Sequence, residues 1–121
     1  MDNSRENELK KAVIEMAVEA WRFRRVFEKA MSKLDAGESS RYIGQFNWFI
    51  KKVDEALKTA GMKIINVEGL PYDVGMALTP LNIDDFEPDD PLYVEQLIEP
   101  IIMDSESVLK TGTAILGRIE Q

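Results

Sequence analysis

The feature that most constrains the fold is an unbroken heptad pattern of apolar residues near the start of the chain. The apolar positions alternate steps of four and three: Leu9, Val13, Met16, Ala20, Phe23, Phe27, Ala30 and Leu34. Residues with this spacing share one face of a helix, and that face needs an apolar partner along its whole length. A helix of this length extends about 40 Å, longer than a small domain usually needs. We therefore expect the rest of the chain, a second copy, or both to pack against it.

A second heptad pattern predicts a partner helix from about Arg41 to Ala60. Its apolar residues are Ile43, Phe46, Ile50, Val53, Leu57 and Ala60. Between the two patterns, residues 35–40 are predicted to form a polar loop in which Gly37 breaks the first helix and a serine caps the second. Gly61 is predicted to end the second helix as a C′ glycine. Two helices joined by a short loop form an antiparallel hairpin.

Several large apolar residues lie outside these two patterns, and they favour a further layer of packing. Trp21, Trp48 and Phe49 would remain in water in an isolated hairpin, although burial of each is worth roughly 1.5–3 kcal/mol. Two hairpins in a homodimer would cover them by forming a four-helix bundle. Packing against the C-terminal half of the same chain is the alternative. The predicted dimerisation residues are Leu9, Val13, Met16, Trp21, Phe23, Phe27, Trp48 and Phe49.

After Gly61 the pattern changes from helical to β-rich. Short β-prone segments at 62–68, 76–79, 92–103 and 108–116 are separated by turns, and Pro100 interrupts the third of them, where only an edge or a bulge tolerates proline. We predict about five short strands. The fold class is therefore α+β, with a helical hairpin at 1–61 that acts as a dimerisation stalk and a small β-domain at 62–121.

The residue types that are missing exclude most catalytic chemistry. The chain has no cysteine and no histidine, so thiolate chemistry, the common zinc sites and histidine-based nucleophilic catalysis are excluded. We find no glycine-rich phosphate loop and no converging pair of carboxylates, and we expect a protein that is not an enzyme and needs no cofactor or metal. The polar start of the chain and the absence of a long apolar run predict a cytoplasmic protein that does not bind membranes.

Charge is distributed unequally between the two halves. Residues 1–60 carry 12 Lys/Arg and 10 Asp/Glu, whereas residues 61–121 carry 3 and 12, a balance of −9. The acidic half would repel nucleic acid and attract a basic protein surface. The cluster of Trp21, Phe23 and three arginines resembles a nucleic-acid-binding pattern, but a pI of about 4.6 argues against nucleic acid as a partner.

The most acidic stretch, residues 82–91, lacks the ligand spacing of a calcium loop. An EF-hand needs alternating oxygen ligands, a central glycine and a closing glutamate. Here Pro88 and Pro91 stiffen the segment, and neither the glycine nor the spacing is present. Two interpretations remain open, a solvated loop and a docking surface.

The C-terminal half resembles the β-domain of the GrpE family, the nucleotide exchange factors of Hsp70 chaperones. The family has a G-x-x-F-D-P turn, which residues 69–74 resemble as Gly-Leu-Pro-Tyr-Asp-Val, and its last strands resemble residues 95–101 and 108–116. The family also dimerises through helices placed before the β-domain. This chain is a short, divergent relative by that measure, with Ser107 and Lys110 at the positions of two basic family residues and no histidine after the turn.

The resemblance implies a co-chaperone that binds the ATPase domain of an Hsp70-like protein and promotes release of ADP. The partner-binding residues that it implies are Tyr72, Asp73, Met76, Val108, Leu109 and Lys110. The alternative is a structural or assembly adaptor, in which the heptad helices bind partner helices and the acidic β-domain serves as a docking head.

Overall fold

The computed structural model, which describes residues 2–120, has two long helices followed by six short strands. The elements are α1 (Asp2–Met31), α2 (Ala36–Thr59), β1 (Lys63–Ile65), β2 (Leu78–Pro80), β3 (Leu92–Glu99), β4 (Ile101–Met103), β5 (Val108–Lys110) and β6 (Gly112–Arg118), with a 3-10 turn at Ile83–Asp85. The chain divides into two compact units between Lys63 and Ile64, which we call the helical unit and the β unit. The predicted α+β class is confirmed, with six strands instead of about five.

The second helix begins earlier than the sequence predicts. Asp35 is its N-cap, and the carboxylate accepts a hydrogen bond of 2.8 Å from the backbone N–H of Glu38. This bond satisfies an N–H group that the first turn of a helix leaves without a partner. The predicted start at Arg41 and the serine cap are therefore wrong, and Gly37 lies inside the first turn.

The ends of both helices follow from local chemistry. Gly61 has a φ of 76° just beyond α2, so the predicted C′ glycine is confirmed. The first helix ends at Met31, and the next residues form a turn in which the N–H of Leu34 donates to the carbonyl of Met31 at 3.1 Å. Leu34 was predicted to close the apolar face of α1, and it lies instead in the connection.

Aromatic rings join the two helices near their connection. The rings of Phe27 and Phe46 stack with centroids 5.1 Å apart, and Phe23 meets Phe49 edge-on at 5.8 Å. This part of the first heptad face is directed at α2, as the pattern predicts. Trp21 was predicted to need cover beyond that of an isolated hairpin, and it is only 5% exposed. It is buried together with Ala17 and Val18, which also lie outside the heptad pattern.

The β unit is built around one long hairpin that is broken in the middle. Strands β3 and β6 pair antiparallel, with Leu92 opposite Arg118 and Glu99 opposite Thr113, and strands β4 and β5 continue the same hairpin. The two halves belong to different sheets, of order β2-β6-β3 and β1-β4-β5. Pro100 stands between β3 and β4, where the chain passes from one sheet to the other, and needs no ladder hydrogen bond there.

The crossing between the sheets is tightly packed. A Cβ atom at Gly112 would lie 2.9 Å from the carbonyl oxygen of Glu99 and 3.0 Å from side-chain carbons of Ile101 and Leu78. The Glu99 carboxylate accepts a hydrogen bond of 2.9 Å from the Thr113 hydroxyl, and it lies 3.4 Å from the ammonium group of Lys110. A side chain at this position would therefore force its neighbours to shift, whereas glycine fits without any shift.

The hydrophobic core of the β unit is formed along the broken hairpin. Its fully buried side chains include Val94, Leu97, Ile102, Ala114 and Leu116. Burial alternates along β6, as the two-residue period of a strand requires, whereas a register shift in β3 separates Val94 from Leu97 by three residues. The core holds the strands that frame the surfaces described below.

Candidate interaction surfaces

An apolar groove runs between the two helices of the helical unit. Its volume is about 690 Å³. The residues that line it are mostly apolar: Ala12, Val13, Glu15, Met16, Ala17, Glu19, Ala20 and Phe23 from α1, and Phe49, Val53, Ala56 and Leu57 from α2. Met16 is 72% exposed here, although it belongs to the heptad face. The groove is thus an apolar face that the hairpin itself leaves largely uncovered.

The predicted dimerisation residues fall into three groups in the structure. Val13, Met16, Phe23 and Phe49 line the groove. Phe27 is half-buried against Phe46, and Trp21 is buried. Leu9 and Trp48 are exposed outside the groove.

Trp48 lies on the outer surface of α2 with two lysines close to its ring. The ammonium groups of Lys51 and Lys52 are 5.7 and 4.6 Å from the ring centroid. Such cation–π contacts suit a ring that remains in water, and each is worth about 0.5–1 kcal/mol at an exposed site. Trp48 is 58% exposed, so these contacts leave most of the ring open to a partner.

The predicted partner-binding residues lie at two places on the β unit. Tyr72 is held near the start of β3, where its N–H donates to the carbonyl of Leu92 at 2.8 Å. Met76 lies just before Ala77, whose carbonyl accepts from the N–H of Gly112 at 2.9 Å. A turn joins the two places, because the N–H of Met76 donates to the carbonyl of Asp73 at 2.9 Å.

The predicted residues therefore lie on one turn and on strand β5. Tyr72, Asp73 and Met76 belong to the turn, and Val108, Leu109 and Lys110 form β5. The residue after the turn, Ala77, bonds Gly112, two residues beyond the end of β5.

A concave surface that we call the acidic cradle lies beside Tyr72. It has a volume of about 700 Å³. Its walls are the turn at 71–74, the segment at 83–91, and residues Leu92 and Ile119. Three prolines, two aromatic rings and several aliphatic side chains form the apolar part, and the carboxylates of Asp84, Glu87 and Asp90 are also on the lining.

Hydrogen bonds fix the shape of the acidic cradle. The N–H of Glu87 donates to a carboxylate oxygen of Asp90 at 2.9 Å, and the N–H of Asp90 returns a bond of 3.1 Å to the carbonyl of Glu87. At one side, the Asn82 amide donates to the carbonyl of Leu116 and accepts from its N–H, both at 2.9 Å. The 82–91 segment is thus an ordered wall attached to β6.

Arg118 closes one side of the cradle with both charge and stacking. Its guanidinium donates to the Asp90 carboxylate at 2.9 Å and lies 5.6 Å from the centroid of the Phe86 ring. The backbone N–H of Glu87 lowers the pKa of Asp90, and the hydrogen bond from Arg118 lowers it further. Both effects favour the charged carboxylate.

The remaining acidic residues of this wall are Asp84, Asp85, Glu87 and Asp89. None of them makes an ion pair with another of residues 2–120. No group of three or more carboxylates in that range is arranged to hold a metal ion. Neither of the two helices, over the part of the chain that is described, is long and apolar enough to cross a membrane.

The residues of the 82–91 segment predicted its acidity but not its concave shape. The shape depends on Asn82, whose side-chain amide bonds Leu116 of β6, 34 residues further along the chain. A contact this distant leaves no local pattern in the sequence. Comparison with models of protein families, with curated proteins and with solved structures finds no match to this chain. The resemblance to the GrpE family therefore rests on the residues alone, and function must be argued from the surfaces.

Proposed function

We propose that the protein is a non-catalytic, dimeric co-chaperone of the GrpE type, which binds the ATPase domain of an Hsp70-like protein through its β unit. The observation that supports this most directly is the combination of an uncovered apolar groove on a helical hairpin with a separate β unit that follows it. The groove favours assembly through helices, and the turn at 69–74 and strand β5 present the residues of the resemblance on the β unit.

The proposed dimer is supported by the apolar residues that the hairpin leaves exposed. Met16, Phe23 and Phe49 line a groove whose only charged members are two glutamates, Glu15 and Glu19. Monomeric proteins rarely expose a large contiguous apolar patch, because its burial against a partner is favourable. A second hairpin seated in the groove would complete a four-helix bundle with two-fold symmetry.

The proposed mechanism needs no bond-making chemistry. A factor that binds the open form of the ATPase cleft more tightly than the closed form shifts the population toward the open form, from which ADP leaves. Because the coupling is reciprocal, bound nucleotide must weaken binding of the factor by the same ratio. The exposed side chains of Asp73 and Val108 are available for such contacts.

The dimer is tested by sedimentation velocity at tens of micromolar protein. Met16→Lys places a charge in the groove, and Val26→Lys is the matched control, because Val26 is 66% exposed but does not line the groove. We expect a dimer for the parent and the control, and a shift to monomer for Met16→Lys. A parent protein that is monomeric throughout would refute the four-helix bundle.

The exchange activity is tested by stopped-flow release of a fluorescent ADP analogue from the ATPase domain of a bacterial Hsp70. We expect the protein to accelerate release, Asp73→Arg to abolish the acceleration, and Glu95→Arg to retain it, since Glu95 is an exposed acid of β3 that is not among the predicted partner-binding residues. If the parent protein neither binds the ATPase domain nor accelerates ADP release, the co-chaperone proposal is refuted.

A second function, that of an assembly adaptor, is favoured by the groove alone. A helix from another protein with apolar residues at three- and four-residue spacing fits the same surface as a second copy. A monomer that becomes a one-to-one complex with such a helix, and has no effect on ADP release, would favour this function over the first.

A further inference from the structure

The acidic cradle on the β unit combines an apolar wall with two carboxylates, those of Asp84 and Glu87, that pair with no cation of the described residues 2–120. Val74 is 86% exposed and Ile83 41% exposed at its edge, so large apolar side chains face solvent beside Asp84 and Glu87. A solvated acidic loop has no need of this apolar surface. We propose that the cradle is a docking site for an extended segment of a partner protein that carries an arginine next to an apolar side chain.

The chain itself shows which cation this wall accepts. Arg118 binds Asp90 through a charged hydrogen bond of 2.9 Å and lies over the face of Phe86. A guanidinium is planar and always charged, so it can bond a carboxylate and stack on a ring at once, whereas an ammonium group is a compact, strongly hydrated charge. A second aromatic ring, that of Tyr72, and the free carboxylates of Asp84 and Glu87 offer the same combination on the open part of the cradle.

Charge complementarity selects a protein segment as the occupant. Residues 61–121 carry 12 acidic and 3 basic side chains, which repels nucleic acid and anionic lipid and attracts a basic segment. Two of those basic residues, Lys110 and Arg118, already have acidic partners. The apolar wall exceeds what a small polyamine would cover, whereas a peptide can place a leucine or phenylalanine on Val74 and Ile83 while its arginine reaches the carboxylates.

The cradle is also built before any partner arrives. Its turn at Glu87–Asp90 is closed by two hydrogen bonds, and Pro88 and Pro91 restrict the backbone further. A preformed site loses little conformational entropy on binding. The site lies on the β unit, and its proposed binding of an arginine-containing segment does not require the partner to be an Hsp70-like ATPase.

The test is fluorescence anisotropy of the full chain with a labelled twelve-residue peptide that has a Leu-Arg-Leu-Arg core between Gly-Ser flanks. We expect saturable binding that weakens with salt, because exposed charges are screened at higher ionic strength. The double variant Asp84→Asn/Glu87→Gln should weaken binding about tenfold, the equivalent of about 1.4 kcal/mol for lost charge-assisted hydrogen bonds.

A control variant distinguishes binding at the cradle from general attraction of a basic peptide to the acidic β unit. Glu95→Gln/Glu106→Gln removes the same number of charges from the β unit, and neither side chain lines the cradle. We expect this control to bind the peptide within twofold of the parent. Equal weakening by both double variants, or no binding by the parent, would overturn the proposal. Circular dichroism establishes that each variant is folded.

Variation of the ligand tests the chemistry. A peptide with lysine in place of arginine should bind several-fold more weakly, and one with glutamate should not bind. Equal affinity for the lysine peptide would refute arginine recognition, and spermidine that competes as well as the arginine peptide would refute a peptide site. No ATPase takes part in this assay, so its failure is distinguishable from failure of the co-chaperone proposal.

Discussion

Substitution of Gly112 by alanine tests the packing at the sheet crossing. The added methyl group would lie 2.9 Å from the backbone oxygen of Glu99 and 3.0 Å from carbons of Ile101 and Leu78. Two of these neighbours can move only if the core of the β unit shifts, and the third is a backbone atom. Since Gly112 does not have a positive φ, any loss of stability arises from crowding and not from backbone strain.

The expected magnitude is a difference between two effects. Overpacking of a well-packed interior typically costs about 1–3 kcal/mol. Replacement of glycine by alanine restricts the unfolded chain and returns about 0.4–1 kcal/mol. We therefore expect Gly112→Ala to lower the free energy of unfolding of the β unit by about 1–2 kcal/mol. At a typical urea dependence of 1–3 kcal/mol per molar, the midpoint should fall by roughly 1 M.

Gly44→Ala is the matched control for this experiment. Gly44 lies inside α2 with no atom within 4 Å of the added methyl group, so the same chemical change should stabilise the helical unit by about 1 kcal/mol. Urea titrations followed by amide resonances report the two units separately, at matched protein concentration. A midpoint for Gly112→Ala that equals or exceeds that of the parent would refute the crowding argument.

Three further predictions concern caps and side-chain bonds. Asp35→Ala should destabilise α2 by about 1 kcal/mol in thermal unfolding followed by helical circular dichroism, with Asp54→Ala nearly neutral. Asn82→Ala should cost about 1–3 kcal/mol in urea unfolding of the β unit, because both bonds to Leu116 are lost. Because the pKa of Asp90 is lowered, the stabilisation from its charged form is present above the ordinary aspartate pKa and disappears as pH falls through the lowered value. Carbon-detected NMR titration should show this low pKa, and Arg118→Gln should raise it; an unchanged pKa would contradict the role of the guanidinium.

The helical hairpin was predictable because both heptad patterns, at 9–34 and 43–60, are unbroken. The heptad residues Phe23 and Phe27 do meet the second helix, and Gly61 ends it. The start of α2 was not predicted, because Gly37 resembles a breaker and the serines after it resemble caps. Asp35 has the same capping chemistry and is placed three residues before the N–H group it bonds, which decides the boundary.

The details of the β unit depend on contacts that are distant in sequence. Pro100 predicted an interruption of the strand. Whether that interruption is a bulge, an edge or a passage between sheets depends on pairing that is distant in sequence, since β2 pairs with β6 in one sheet and β1 pairs with β4 in the other. The sequence predicted that Trp21 needs cover but left the source of that cover open, since Trp21, Ala17 and Val18 lie outside the heptad pattern. The acidic cradle depends on Asn82 and Arg118, whose partners follow from the fold and not from neighbouring residues.

The broken hairpin has a consequence for the order in which the β unit folds. Its tip is closed by the Asp104 carboxylate, which accepts from the N–H groups of Glu106 and Ser107 at 2.8 and 2.7 Å, so pairing can begin there and extend toward Leu92 with only short loops to close. Strand β2 must instead close a connection of 34 residues, the separation between Leu78 and Gly112. We expect β2 and the 82–91 segment that follows it to join the hairpin last during folding. In native-state hydrogen exchange, the same residues should open first. The preformed acidic cradle would then be lost only when that segment opens, while the hairpin beneath it stays folded.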